Sequence, residues 1–272
     1  MDLSIIILNY KSKGLVKQCV KTITLLAPKV SYEVIVVDND SGDGVGAMLV
    51  ERFPEVQFIA SPKNVGFAAG NNLGIRVAKG RYIVIMNPDI TVLPGALEGM
   101  TAFMDANLDV GIMGPKLVHP DATLDPSCYR FPTYAIPVYR RTPLGRLPVG
   151  RRAVSDYLME DFDHETTRDV DWLLGAVLTV RREALEQVGL LDERFFLYFE
   201  DTDWCRRFWA AGHRVVYYAG AKMVHYHERL SAQGPLLLSP FRKSTRIHIA
   251  SGFKYFSKWK DAPVKESRGV RC

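Results

Sequence analysis

Tyr82-Ile83-Val84-Ile85-Met86-Asn87-Pro88-Asp89 is the stretch that decides the fold, an unbroken apolar run that ends in a single carboxylate. The apolar residues predict a strand buried on both faces, as in a parallel sheet covered by helices. In such an open α/β sheet, ligands bind in the crevice at the carboxyl ends of the strands. Asp89 is therefore placed where a diphosphate and its divalent cation could bind.

The same alternation of strands and helices extends through the first third of the chain. Apolar runs predict strands at 3–9, 33–38, 56–60 and 82–87, and helical patterns predict helices at 14–26, 44–53 and 66–79. Because the strands read as continuous Val, Ile and Leu runs, we predict an α/β domain with a mostly parallel central sheet and helices on both faces. This half is typical of a doubly wound, nucleotide-binding domain.

The second half of the chain is less regular. Residues 119–169 are rich in proline, arginine and isolated aromatic residues, which predicts a functional or mobile loop region. Regular patterns return at 171–180, which reads as one buried strand, and at 182–188 and 200–211, which read as helices. Gly212 follows the last of these helices in the position of a C-terminal cap.

Composition predicts a folded core without a disulfide framework or a membrane span. Of the 272 residues, 47% are hydrophobic, and the four cysteines show neither a CxxC nor a zinc-site spacing. The chain has no basic leader and no run of about 18 apolar residues, so we expect a cytoplasmic protein, soluble or peripheral on a membrane. Nothing indicates nucleic-acid binding. Residues 241–272 carry nine Lys and Arg against two acids, which indicates an anionic surface or a solvated tail.

Polar residues follow two neighbouring predicted strands. Asp38 ends the second strand, where a carboxylate could accept hydrogen bonds from a ribose or a base, or could simply cap the next helix. Residues 64–72 place small residues and amides at a helix start, including Asn64, Gly66 and Asn71. Free backbone N–H groups at a helix start favour phosphate. Tight packing of this helix on the sheet is the alternative.

Two clusters in the second half could carry chemistry. Residues 192–204 place carboxylates among aromatic side chains, and apolar surroundings raise the pKa of a carboxylate and suit it to general-base work. Glu200 or Asp201 could instead cap the following helix. His225 and His227 share one face of a predicted strand. Histidine is a common metal ligand, although a strand histidine is more often structural.

Together these segments resemble the motifs of family 2 glycosyltransferases, and most closely the bacterial rhamnosyltransferases. The matching motifs occur in the family's order over residues 3–230, at 4–10, 37–41, 64–71, 87–89, 191–196 and 200–201. The resemblance implies a GT-A fold with a nucleotide-sugar half at 1–118 and an acceptor-binding, catalytic half at 119–240. It also implies transfer with inversion at the anomeric carbon and a divalent cation on the donor diphosphate.

The resemblance further implies a role for each matching residue. On the donor side it places Asn9, Tyr10 and Asp38 at the nucleoside and Asn64, Gly66 and Asn71 in the donor-contacting turn. Around the acceptor it makes Asp201 the catalytic base and lines the pocket with Trp172, Leu174, Gly175 and Glu200. Asp89 aligns with the last acid of the metal-binding DxD motif, and His225 resembles the histidine that completes the metal site.

The metal motif departs from the family pattern, because Asn87 stands at the first position of DxD. This removes a formal charge, yet one carboxylate and the donor phosphates can hold Mg²⁺ or Mn²⁺. Residues 120–132 resemble a segment of O-antigen and cell-wall rhamnosyltransferases, which favours dTDP-rhamnose, while UDP-linked galactose, galactofuranose or GlcNAc stay open as donors. The implied acceptor is a polyprenyl-diphosphate-linked saccharide at the inner membrane face.

Residues 241–260 predict an amphipathic helix. Its apolar stripe comprises Thr245, Ile249, Phe253, Phe256 and Trp259. Such a helix could lie on an anionic membrane, or pack on the catalytic domain or on a dimer partner. The oligomeric state, including a homodimer, stays open.

Two other functional classes also stay open. A nucleotidyltransferase would require a glycine-rich loop after the first strand, and residues 9–14 offer a single glycine. A non-catalytic nucleotide-sugar-binding module would not require both Asp89 and Asp201.

Overall fold

A computed structural model of the protein describes residues 1–226 and 243–262. The strands are β1 (Leu3–Asn9), β2 (Tyr32–Asp38), β3 (Gln57–Ala60), β4 (Tyr82–Met86), β5 (Ile90–Val92), β6 (Val110–Val118), β7 (Leu124–Asp125), β8 (Cys128–Tyr129), β9 (Arg168–Asp169), β10 (Trp172–Leu173), β11 (Val177–Arg181) and β12 (Arg214–His225). The α-helices are α1 (Lys13–Leu26), α2 (Val45–Arg52), α3 (Gly66–Val77), α4 (Ala96–Ala106), α5 (Ala135–Arg141), α6 (Pro148–Leu158), α7 (Arg182–Val188), α8 (Glu200–Ala210) and α9 (Lys243–Trp259). A 3₁₀ helix spans Pro143–Arg146.

One sheet runs through both halves of the chain, in the order β3-β2-β1-β4-β11-β6-β12-β5. Strands β3, β2, β1 and β4 are parallel. Strand β11 is antiparallel to both of its neighbours, β4 and β6, whereas β12 is parallel to β6. The carboxyl ends of β1, β2, β3 and β4 therefore meet at one edge, and β11 enters the sheet from that same edge.

Alternate residues of the central strands supply two hydrophobic cores, one on each face. Ile5 and Ile7 of β1 face a core that includes side chains of α1, α2 and α4. Ile6 faces the opposite core, to which α3, α7 and α8 contribute. Covering both faces explains why these strands read as continuous apolar runs, since a side chain is buried on either side. The predicted α/β class with helices on both faces is confirmed.

Regular elements in the first half start and end close to their predicted limits. Strand β1 matches the predicted range 3–9. For the other predicted elements, the predicted and observed ends differ by at most two residues. Gly212 has a φ of +87° just beyond α8, as predicted for a C-terminal cap.

The second half differs from prediction in two places. The single strand predicted at 171–180 is wrong, because Leu174, Gly175 and Ala176 interrupt it and leave β10 and β11 in different sheets. The prediction that 119–169 is a loop is also wrong in part, since this stretch contains α5, α6 and three two-residue strands. Its prolines lie at helix starts and between elements, where the missing N–H is tolerated.

Helix α9 packs on α8 through one face. Tyr255 is fully buried, and the indole of Trp259 donates a hydrogen bond to Asp203 of α8 over 2.8 Å. The predicted apolar stripe is not the buried face, because Ile249 and Phe253 are exposed. His227 and residues 263–272 lie outside the described residues. In the part of the chain that the structure describes, no helix has the length and hydropathy to cross a bilayer.

Candidate active site

A cavity of about 270 Å³ opens at the carboxyl edge of the parallel strands. The interruption between β10 and β11 forms one wall, where the Asn87 N–H donates a hydrogen bond to the Ala176 carbonyl over 2.8 Å. The predicted site residues that line the cavity are Asn87, Trp172, Leu174, Gly175, Glu200, Asp201 and His225. Asn87 and Glu200 thus line the same cavity although they are 113 positions apart in sequence.

Asp201 is a buried carboxylate in the first turn of α8. Its Oδ2 accepts a hydrogen bond from the Gly175 N–H at 3.0 Å, and its Oδ1 accepts one from the Thr202 N–H at 2.7 Å. Burial raises the pKa of Asp201 even though these two donors oppose the shift. The result is an oriented carboxylate, more basic than usual, that faces the cavity. Such a group can accept a proton from a bound hydroxyl.

The backbone before α8 is held in an unusual conformation. Tyr198 and Phe199 both have a φ of +68°, the left-handed region that side chains other than glycine seldom adopt. Packing against α9 supports this turn, since the Phe199 ring lies 5.3 Å from the Tyr255 ring. The turn directs Glu200 into the same cavity, and burial together with the Asp201 charge raises the pKa of Glu200 well above its ordinary value.

His225 lines the cavity, and Asp89 lies next to His225 without lining the cavity itself. His225 Nε2 lies 3.5 Å from Asp89 Oδ2, and its Nδ1 lies 2.7 Å from Asp125 Oδ2. Burial disfavours the charged imidazole, but the two carboxylates outweigh it and raise the pKa of His225 to about 9. The sequence did not single out Asp125. This carboxylate fixes the imidazole so that Nε2 points toward Asp89, an arrangement common behind metal-bound histidines.

The residues around Asp89 fit a divalent cation that also binds a diphosphate. Asp89 Oδ1 is buried and accepts no hydrogen bond from the described residues, although an oxygen in that position normally has a partner. A carboxylate and an imidazole supply two ligands, and phosphate oxygens and waters can complete the shell of Mg²⁺ or Mn²⁺. Within residues 1–226 and 243–262, no group of three His, Cys, Asp or Glu side chains could hold a metal ion.

The residues predicted to bind the nucleoside form a hydrogen-bonded group at the ends of β1 and β2. The Asn9 amide donates to Asp38 Oδ1 over 2.8 Å and to the Ser41 hydroxyl over 3.0 Å. Tyr10 is half exposed beside them. Asp38 is thus held by its neighbours with a partly exposed carboxylate that can contact a ribose or a base.

Asn64, Gly66 and Asn71 lie in and just before the first two turns of α3. Asn64 Oδ1 accepts hydrogen bonds from the Gly66 N–H and from the amide of Asn39, each at 3.0 Å. Gly66 has a φ of +88°, and a Cβ there would lie 2.4 Å from the Phe196 carbonyl oxygen. The turn therefore requires glycine. Asn39 lies in the motif at 37–41, and the sequence predicted no role for it. Its hydrogen bond to Asn64 connects this turn to the end of β2.

The wall of the cavity that the sequence predicts to face the acceptor is aromatic. Trp172 stacks on Tyr129 with ring centres 4.7 Å apart, and its indole donates to the Arg130 carbonyl. Tyr157 of α6 and His248 of α9 also line the cavity. Sequence reasoning missed both, because neither lies in a motif. An apolar, aromatic wall opposite an oriented carboxylate can bind the faces of a sugar ring.

A family model described as Glycosyl transferase family 2 matches residues 4–153, more than half of the chain. The chain belongs to glycosyltransferase family 2. This family 2 glycosyltransferase is 28% identical to the N-acetylglucosaminyl-diphospho-decaprenol L-rhamnosyltransferase of Mycobacterium tuberculosis, over 88% of this chain and 80% of that relative.

Solved structures share the fold of this family 2 enzyme. A crystal structure of GalNAc-T7 with UDP, GalNAc and Mn²⁺ aligns with a TM-score of 0.65 at 12% identity, over 96% of this chain and 50% of the other. TarS from S. aureus aligns with a TM-score of 0.57 at 14% identity, over 84% of this chain and 37% of the other. The predicted GT-A fold, the family and the glycosyltransferase class are confirmed.

Proposed function

We propose that this glycosyltransferase moves L-rhamnose, with inversion, from dTDP-rhamnose to a saccharide linked through diphosphate to a polyprenol. The observation that carries the proposal is Asp201, a buried, doubly hydrogen-bonded carboxylate facing a cavity with an aromatic wall. The name of the mycobacterial relative supports rhamnose as the sugar and a diphosphate-linked lipid as the acceptor. The pathway would be the synthesis of a bacterial surface polysaccharide such as an O-antigen or a cell-wall polymer.

In the proposed reaction, Asp201 accepts the proton of the acceptor hydroxyl. The hydroxyl oxygen forms a bond to the anomeric carbon as the bond from that carbon to the donor diphosphate breaks, and the electron pair leaves with the diphosphate. Attack and departure on opposite faces invert the configuration in one step. General-base assistance contributes about two to four powers of ten to the rate. Trp172, Leu174, Gly175 and Glu200 would hold the acceptor sugar against Asp201.

The donor would lie along the carboxyl ends of β1, β2 and β4. Asn9, Tyr10 and Asp38 would hold the nucleoside, and Asn64, Gly66 and Asn71 the turn beside the sugar and diphosphate. Asp89 and His225 would hold Mg²⁺ or Mn²⁺, which neutralises charge on the leaving diphosphate when bound. Asn87 would contribute a neutral oxygen where the family motif has an acid.

Metal binding tests the Asp89 assignment directly. Wild-type protein should bind Mn²⁺ more tightly with dTDP than without it, as measured by electron paramagnetic resonance of free Mn²⁺. Asp89→Ala should abolish that dTDP-dependent binding, while the exposed surface variant Asp109→Ala should retain it. Equal Mn²⁺ binding by the two variants would remove Asp89 from the metal site.

Peripheral attachment to the cytoplasmic membrane face is part of the proposal. The nine basic residues of 241–272 support it, because each Lys or Arg near an anionic leaflet contributes about 1 kcal/mol. Co-sedimentation with phosphatidylglycerol vesicles should exceed that with phosphatidylcholine vesicles and should fall with added salt. Equal sedimentation with both would argue against the membrane assignment.

A UDP-linked donor is the second candidate, because the GalNAc-T7 structure contains UDP and no residue here selects thymine over uracil by spacing. Donor turnover decides between them. The enzyme should consume dTDP-rhamnose in the presence of Mn²⁺ faster than UDP-galactose or UDP-GlcNAc. Turnover of UDP-sugars alone would establish the second candidate, and binding without turnover of any donor would indicate a non-catalytic nucleotide-sugar-binding module.

A further inference from the structure

A second cavity of about 240 Å³ lies between α5 and α9. We call it the α5–α9 groove. Its apolar lining consists of Tyr134, Pro137, Ile249, Gly252, Phe253 and Phe256. Phe253 is 74% exposed, and the rings of Tyr134 and Phe256 stack 4.4 Å apart to form one wall. Exposed aromatic and aliphatic side chains that surround a concave surface are typical of a ligand or partner site.

The groove is continuous with the cavity of Asp201. Phe199 and His248 line both cavities. The His248 ring packs against Tyr198 and Phe199, with ring centres 5.0 and 5.3 Å away. Since Phe199 lies two residues before Asp201, a molecule in the groove would end at the wall of the catalytic cavity.

Two arginines of α5 lie beside these cavities, since Arg141 lines the groove and Arg140 contacts Tyr157, which lines the cavity of Asp201. Arg141 Nη2 lies 3.2 Å from His248 Nδ1, and the Arg140 guanidinium lies over the Tyr157 ring at 5.7 Å. Burial, followed by the charges of Arg141 and Arg140, lowers the pKa of His248 to about 4, so its imidazole is neutral at pH 7. The contacts of these guanidinium groups with His248 and Tyr157 are thus with neutral groups, and a guanidinium can form charge-assisted hydrogen bonds to an anion.

We propose that the α5–α9 groove binds the first isoprenoid units of a prenyl diphosphate, with the diphosphate at Arg140 and Arg141. The attached sugar would extend into the cavity of Asp201. This inference rests on the proposed function, because it assigns a place to the lipid part of the proposed acceptor. The sequence of features, an apolar groove, two arginines and a sugar-sized cavity, matches the tail, head group and sugar of such a lipid in order.

A prenyl chain suits this groove better than the surface of a bilayer. The groove is concave and leads into the catalytic cavity, whereas a bilayer contacts protruding side chains. The remaining chain of a long polyprenol would leave past the exposed Phe253 and Ile249 and stay in the membrane.

Binding of farnesyl diphosphate to the full-length protein without donor tests the inference. Titration calorimetry would compare it with inorganic diphosphate, which has only the head group, and farnesol, which has only the tail. Farnesyl diphosphate should bind more tightly than either. Phe253→Ser should weaken it by about tenfold or more, the effect of losing a large part of a buried phenyl contact, and should leave inorganic diphosphate unchanged. Arg141→Gln should weaken both diphosphates and spare farnesol.

Matched controls separate the groove from general surface effects. Leu108→Ser removes an apolar side chain that is also 74% exposed but lies far from the groove in the chain, and Arg52→Gln removes one surface charge from α2. Both should bind all three probes as the wild type does. The inference is overturned if Leu108→Ser weakens farnesyl diphosphate as much as Phe253→Ser, or if farnesyl diphosphate binds no better than its two parts.

Two further outcomes also decide the question. If binding to prenyl-free phosphatidylglycerol vesicles depends on Phe253 while farnesyl diphosphate binding does not, the groove is a bilayer contact and the inference is overturned. Cross-linking from position 253 to residues 227–242 would show that the chain itself fills the groove if farnesyl diphosphate does not reduce its yield. That result would also overturn the inference. Loss of farnesyl diphosphate binding with intact dTDP-rhamnose turnover would refute the groove alone, whereas binding without any donor turnover would refute the proposed function alone.

Discussion

Asp201 and Asp203 can each be exchanged for an asparagine. Asp201→Asn should mainly reduce catalysis, whereas Asp203→Asn should mainly reduce stability. The two residues lie in the same turn of α8, and both are buried. Asp201 faces the cavity, whereas Asp203 faces α9. Asp201→Asn should lower kcat by about two to four powers of ten, because an amide cannot accept the acceptor's proton. Donor binding should persist, since no predicted nucleoside contact is changed.

Asp203→Asn should lower the free energy of unfolding more than Asp201→Asn does. Asp203 has a fully buried carboxylate that accepts hydrogen bonds from Lys258 at 2.9 Å, Arg207 at 3.0 Å and Trp259 at 2.8 Å. Loss of one partner from a buried pair costs about 3 to 5 kcal/mol, and the partial exposure of Lys258 and Arg207 reduces this to about 2 to 4 kcal/mol.

For Asp201→Asn, one backbone N–H loses its acceptor at a cost of about 1 to 3 kcal/mol, offset by removal of a charge that burial disfavours. The net change should therefore be smaller than at Asp203.

The assay pairs initial rates of sugar transfer with urea unfolding followed by tryptophan fluorescence. Asp201→Asn should unfold near the wild-type midpoint and be inactive, while Asp203→Asn should unfold earlier and retain activity of the same order per folded molecule. If Asp203→Asn abolishes transfer and Asp201→Asn does not, Asp201 is not the base and the geometric argument is refuted.

Two further predictions concern the same site. Glu200 has a raised pKa in the folded protein, so the folded state holds its proton more tightly and stability should fall as pH rises from about 4.5 toward the folded pKa, by about 1.4 kcal/mol per unit of pKa difference. Glu200→Gln should make this decline shallower and leave the smaller part that comes from Asp201, whose pKa burial also raises. Parallel pH–Tm curves for the two proteins would refute the burial argument. Gly66→Ala should destabilise the fold by about 2 kcal/mol or more, because φ is positive there and a Cβ would clash with the Phe196 carbonyl. Gly14→Ala is the control, because no atom lies within 4 Å of the added Cβ. It should be neutral or stabilising in the same thermal melts.

Much of the first half could be predicted because its signals are local. Runs such as those of β1 and β4 are buried on both faces, so most of their residues are apolar and the strand limits follow from sequence alone. The strand predicted at 171–180 failed for a related reason. Gly175 lies in an apolar run, but its N–H donates to Asp201 instead of to a neighbouring strand. A hydrogen bond between residues 26 positions apart leaves no periodic trace.

Two features of the site depended on long-range packing. Asp125 meets His225 across 100 residues because β7 and β12 both pair with β6, which places their ends side by side. Helix α9 presents a stripe that is compatible with a membrane, a partner or the protein itself. Its contacts with Asp203 and Phe199 decide that one face packs on α8.

By itself, the sequence determined the parallel half of the sheet, the glycosyltransferase family and the strand-end positions of Asp38 and Asp89. Only the tertiary structure decided that Asp201 and His225 share one cavity, that Asp125 orients the histidine, and that the α5–α9 groove joins this cavity. The physical reason is the separation in sequence of the residues that interact. Strand and helix periodicity is set by neighbouring residues, whereas a site is assembled by sheet register and helix packing between segments far apart in the chain.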